Sequence, residues 1–134
     1  MAGVAARAQE AQTAARSLSG LSTQQKNDAL ARIRTRLEAR GEEIIAANGR
    51  DVERAESEGL AAPLLKRLRF GEKKLGSVLE SVDGVRELPD PTGRALRRTE
   101  LDDGLVLEQR SCPIGVIGMI FESRPDALVQ IATL

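Results

Sequence analysis

The run IGVIGMIF, residues 114–121, is apolar on both faces of any strand it could form. A short, β-branched stretch with no polar alternation suits a parallel strand buried between two layers. Such a strand needs neighbours in its own plane and helices above and below it. The turn ESRPD follows, with Pro125 near the first helical position, and DALVQIATL begins a helix. No other segment of the 134 residues has the composition to supply a second strand of this kind. The expectation is that residues 113–134 are the first βα unit of a larger α/β sheet, in a chain that is the front part of a longer protein.

Upstream, residues 3–87 read as helical. GVAARAQEAQTAARSL places Val4, Ala8, Ala11, Ala15 and Leu18 on one weakly hydrophobic face, which must dock on something larger to stay formed. In LSTQQKNDALARIRTRLEAR, Ser22 and Gln25 match a capping box, and Leu30, Ile33 and Leu37 form an apolar stripe before Gly41 interrupts it. Glu42 and Glu43 stand where a helix dipole favours acids, and Gly59 with Leu60 reads as a C-terminal cap. Pro63 opens a short helix. Leu75, Val78, Leu79, Val82 and Val85 then repeat at helical spacing until LPDPTG breaks the pattern.

The stretch GRALRRTELDDGLVLEQRSCP, residues 93–113, reads as two strands joined around Asp103-Gly104. Arg94, Arg97 and Arg98 are expected to face Glu100, Asp102, Asp103 and Glu108. A solvated two-stranded ribbon is marginal alone, so it is expected to pair with a partner subunit or another domain. The boundaries expected are a helical segment over 1–90, a hairpin arm over 91–112 and the truncated cofactor domain over 113–134.

Composition excludes several chemistries. Twenty basic side chains balance twenty acidic ones with no block of like charge, so neither nucleic acid nor an anionic membrane is the expected partner. Phe70 and Phe121 are the only aromatics, which argues against a base-stacking surface. With no histidine, imidazole bases and ligands are absent and no metal site is expected. The single Cys112 cannot close an internal disulfide. No apolar run would span a bilayer, and the first residues have no signal-peptide core; the expected compartment is the cytoplasm.

Ligands of open α/β sheets sit at the carboxyl ends of strands, against helix N-termini. Position alone therefore singles out Phe121, Glu122, Ser123 and Arg124. Against this, Glu122 and Arg124 could form a structural ion pair. Cys112, at the entry to the apolar run, is expected to be a small packed side chain. Gly115 and Gly118 fall inside the run rather than after it, and close backbone approach explains them better than a phosphate loop. Asn48 and Asp51 are placed at a helix break in AANGRD, where local capping accounts for both.

RSCPIGVIGMIFESRPDALVQIATL resembles the corresponding segment of the gamma-glutamyl phosphate reductase family, also called glutamate-5-semialdehyde dehydrogenase. IIAANGRDVERAESEGLAAPLLKRL and LPDPTGRALRRTELDDGLVLEQRSCPIGV resemble the same family in register. The resemblance runs from about Ala6 to Leu134, and the start at Met1 favours the separate reductase over the kinase fusion.

The resemblance implies an aldehyde-dehydrogenase-like α/β fold: a helical lead-in, a two-stranded oligomerisation arm, then a Rossmann-like cofactor domain. The implied activity is NADPH-dependent reduction of gamma-glutamyl phosphate to glutamate-5-semialdehyde with release of phosphate, in L-proline biosynthesis. A cysteine thiolate displaces phosphate and hydride transfer releases the aldehyde. The nucleophilic cysteine is expected beyond Leu134, so the short chain alone should be inactive. The resemblance further implies that Ile120, Phe121, Glu122 and Ser123 line the cofactor, with Ser123 near the place of an oxyanion-hole asparagine. Arg124 and Asn48 would face the substrate. A homo-oligomer is implied, and glutamate 5-kinase is a further possible partner. The alternatives are a non-catalytic helical interaction module and another aldehyde dehydrogenase acting on a different acyl substrate.

Overall fold

A computed structural model of the chain describes residues 3–134; Met1, on which the expectation of a separate reductase rests, lies outside them. Five helices come first: α1 (Val4–Leu18), α2 (Thr23–Ala39), α3 (Gly41–Ser57), α4 (Ala62–Leu68) and α5 (Glu72–Glu87). A hairpin of β1 (Ala95–Asp102) and β2 (Leu105–Arg110) follows, and α6 (Pro125–Ala132) ends the chain.

Local chemistry sets most of these limits. Because α2 opens at Thr23, Ser22 stands at its N-cap and Gln25 at the third helical position, the spacing of a capping box. Gly59 takes φ 75° after α3. Its N–H reaches the Glu56 carbonyl and that of Leu60 reaches the Ala55 carbonyl at 2.9 Å, the paired bonds of a Schellman cap. Pro63 lies in the first turn of α4 and Pro125 opens α6, where a missing N–H leaves no bond unmade.

By compactness the chain forms two units, each discontinuous in sequence. One joins the chain through Thr23 to Pro89–Gly118; the other joins Gln24–Leu88 to Met119–Leu134. In the second unit the stripe read from the sequence is the core. Val78, Leu79 and Val82 of α5 are buried, with Phe70 just ahead of them. The helix pairs α3–α4, α3–α5 and α5–α6 pack together. Gly41 is buried because a Cβ there would run into the side chain of Leu75. Arg34 of α2 reaches α5, donating from Nε to Asp83 at 2.6 Å and from Nη1 to Glu38 at 2.7 Å. Arg86 adds a 3.1 Å bond to the other oxygen of Asp83.

In the first unit no residue of α1 is buried. The hairpin is antiparallel, pairing Thr99 with Leu107 and Arg98 with Glu108, with irregular register near each end. Gly104 takes φ 73° while Asp103 does not adopt positive φ, so this is not the mirror-image turn in which both central residues do. At the base of the arm, Ser111 donates its N–H to the Arg94 carbonyl and accepts the Gly93 N–H at its own carbonyl, both at 3.0 Å. Its hydroxyl donates to the Pro91 carbonyl and accepts the Arg94 N–H. Of the cross-strand charges expected, Arg98 approaches Glu108 at 3.8 Å, while Arg110 binds Glu108 along the same strand at 2.7 Å.

Three local expectations are corrected. Residues 114–121 form no strand here: β1 and β2 are the only strands among the described residues. A parallel strand exists only through a neighbour's N–H and C=O groups, and none is present. The run is instead largely open, with Ile114 at 89% and Ile120 at 101% relative exposure. Gly115 takes φ 109°, a conformation in the glycine-favoured region, and neither it nor Gly118 has a close neighbour where a Cβ would stand. Cys112 is exposed rather than packed, since no element covers the start of that run. Finally, α3 passes through AANGRD without a break. Gly49 costs a helix about 1 kcal/mol relative to alanine, and packing of α3 against α4 and α5 outweighs that.

Candidate functional site

The turn between the apolar run and α6 belongs to the second unit. Ser123 has φ 53°, the one non-glycine residue with positive φ among those described. Left-handed backbone at such a residue costs of order 1–2 kcal/mol, and it redirects the chain into α6. Arg124 then takes the N-cap position with extended φ, −137°. Its side chain makes no cap bond; its carbonyl accepts the Ala127 N–H at 3.1 Å. The residue before a proline is pushed out of the helical region, so Pro125 both starts α6 and shapes the turn.

The residues singled out from sequence are brought together here in part. Ile120 and Phe121 are exposed, and Glu122 and Arg124 are exposed beside them, with Ser123 half-buried. No salt bridge joins Glu122 to Arg124 among the described residues, so the structural ion pair is not formed. The guanidinium of Arg124 is available for a bidentate anion. Glu122 and Asp126, the latter in the first turn of α6, place two carboxylates at the same end.

Asn48 does not belong to this turn. It is buried in α3, donating from Nδ2 to the Leu68 carbonyl at 2.9 Å and accepting the Phe70 N–H at Oδ1 at 2.6 Å. It therefore caps nothing local. It clasps main chain twenty and twenty-two residues downstream, a partnership with no sequence signal. Asp51 is exposed and pairs with Arg54 at 2.7 Å.

A polar cluster outside the turn is Arg34–Asp83–Arg86. Hydrogen bonding to Arg34, and secondarily to Arg86, holds the Asp83 carboxyl below its ordinary range against the opposing effect of burial; Asp83 and Glu38 in turn raise Arg34. Its geometry ties α2 to α5, and Arg86 Nε is buried there with no hydrogen-bond partner among the described residues. In the first unit, Ala5, Ala8, Ala15, Ile114 and Val116 line an open groove of about 820 Å³. No group of three or more His, Cys, Asp or Glu able to hold a metal occurs among the described residues, and no helix there is long and apolar enough to cross a membrane.

No family model matches the chain. Curated relatives do. Gamma-glutamyl phosphate reductase of Pelotomaculum thermopropionicum is 57% identical over 117 residues, 87% of this chain and 27% of that protein. Gamma-glutamyl phosphate reductase 1 of Synechocystis sp. is 47% identical over 127 residues, 95% of this chain and 29% of that protein. Two crystal structures of gamma-glutamyl phosphate reductase superpose with a TM-score of 0.90. That from Saccharomyces cerevisiae is 39% identical and matches 94% of this chain and 32% of that one; that from Thermotoga maritima is 34% identical, matching 95% and 31%. The chain thus spans less than a third of the length of the relatives it matches.

Proposed function

We propose that this chain, homologous over nearly its whole length to the N-terminal part of gamma-glutamyl phosphate reductase, serves in an enzyme that reduces gamma-glutamyl phosphate to glutamate-5-semialdehyde. NADPH is the proposed reductant, phosphate the leaving group, and L-proline biosynthesis the pathway. The observation that carries this reading is the agreement of sequence and fold. Relatives at 47–57% identity and structures at TM-score 0.90 carry the same name across this stretch.

The turn supplies the chemistry this segment can offer. Ile120 and Phe121 present an apolar face to the nicotinamide end of the cofactor, which supplies the hydride. Ser123 offers a hydroxyl donor beside the reacting carbonyl. Arg124 clamps the acyl phosphate or the substrate's carboxylate. The nucleophilic thiol comes from outside these residues, since Cys112 is the single cysteine here and no histidine is present to activate it. In the assembled enzyme the β1–β2 arm joins subunits: Leu105 and Leu107 lie two apart on β2, hence on one face, and both are exposed. Glutamate 5-kinase is the proposed partner that delivers the labile acyl phosphate, and the cytoplasm the proposed compartment.

The test is a chimera in which this chain replaces the matching part of the Pelotomaculum reductase. The expected result is phosphate-dependent reduction of NADP⁺ by glutamate-5-semialdehyde, the reverse reaction, in the chimera and none in the 134-residue chain alone. A folded chimera without that activity, or an active short chain, overturns the proposal.

A further inference from the structure

Asn48 uses both ends of its amide on main chain, at Leu68 and Phe70, the residues flanking Arg69. Those bonds tie the entry of α5 to the middle of α3. Further contacts hold α5 as well: Leu75 packs at Gly41, Lys74 donates to the Arg67 carbonyl at 2.8 Å, and Asp83 takes the Arg34 bond. Asn48 is buried, and both its bonds lie just ahead of α5. In turn α6 packs on α5, and the turn 121–124 leads directly into α6.

We infer that Asn48 is a positioning residue for that turn. It sets α5 against α3, and α5 carries α6 and its leading turn. The inference rests on the proposed reading of Phe121–Arg124 as the cofactor and substrate turn, and it gives Asn48 a role through α5 rather than in contact with substrate.

Amide hydrogen exchange on the 134-residue chain tests it. In Asn48→Leu, exchange at Phe70 is expected to rise roughly tenfold, the scale of one lost buried hydrogen bond. Exchange at Ala127, whose N–H closes the turn onto the Arg124 carbonyl, should rise at least about threefold through the α5–α6 contact. The Arg40 amide, bonded to the Arg36 carbonyl at the end of α2, should stay at its parent rate, which a general loss of stability would not allow. Asn48→Ala removes both bonds without adding bulk or charge and should give the same pattern of rates at Phe70, Ala127 and Arg40; this variant decides the matter if Asn48→Leu does not fold. An unchanged Ala127 beside a faster Phe70, or acceleration spread equally over α2, overturns the inference. An inactive chimera would refute the proposed function without altering these exchange patterns, so the two failures are distinguishable.

Discussion

Val82→Ala tests the core directly. Val82 is fully buried, at 0% exposure, on the face of α5 that includes Val78 and Leu79. Truncation to alanine removes two methyl-sized groups, each worth about 0.8 kcal/mol of transfer free energy. A cavity of about 40 Å³ that fails to collapse adds about 1 kcal/mol. The expected loss is therefore about 2.5 kcal/mol. It falls on a unit whose buried apolar residues are Phe70, Val78, Leu79 and Val82. Total stability for a domain of such size is only a few kcal/mol, at about 0.05–0.15 kcal/mol per residue. Urea unfolding followed by circular dichroism reads the change. With a slope of about 2 kcal/mol per molar, the midpoint should fall by about 1.2 M at unchanged slope. Val4→Ala is the control, because Val4 is 88% exposed on α1; it should move stability by less than about 0.5 kcal/mol. If Val82→Ala shifts the midpoint no more than Val4→Ala, the assignment of the α5 stripe as the core is wrong.

Two further outcomes concern single positions. Gly59→Ala places a Cβ at φ 75° and should cost about 1 kcal/mol, whereas Gly84→Ala, at an exposed site inside α5 with open space for a Cβ, should stabilise by about 0.5–1 kcal/mol; thermal melts that rank the two the other way would refute the cap. Asp83 supplies a pH signature. Its carboxyl is held below the ordinary value of 3.8 in the folded chain, so its contribution is fully present above that value and is lost as pH falls through the folded pKa. The stability gap between parent and Asp83→Asn should thus be visible at about pH 6 and closed in strong acid, and small throughout, because the pair is half-exposed and screened by solvent; a gap that widens on acidification would contradict the Arg34–Asp83 assignment.

Punctuation in the sequence was sufficient for much of this fold. Ser22, Gly59, Pro63, Gly104 and Pro125 act on their own backbone or within four residues of it, so helix limits and the hairpin turn follow from local sterics and capping bonds. The α5 stripe was legible for the same reason: its 3.6-residue period is a property of one helix. The turn 121–124 could be singled out because a proline and a change of hydrophobic pattern mark where an extended run must end. Its left-handed Ser123 could not, since nothing in serine itself demands positive φ.

What tertiary structure alone decided are the relations between distant residues. The identity of Asn48 says that it can donate and accept, but only the packing of α3 against α4 and α5 brings the Leu68 carbonyl and Phe70 N–H within its reach. Gly41 reads as a helix breaker, and its second purpose, making room for Leu75, exists only once α5 is in place. The run 114–121 shows the same limit from the other side. Its composition prescribes a buried strand, yet a strand is a hydrogen-bonded relation between segments, and apolar side chains cannot provide the neighbour whose backbone completes it.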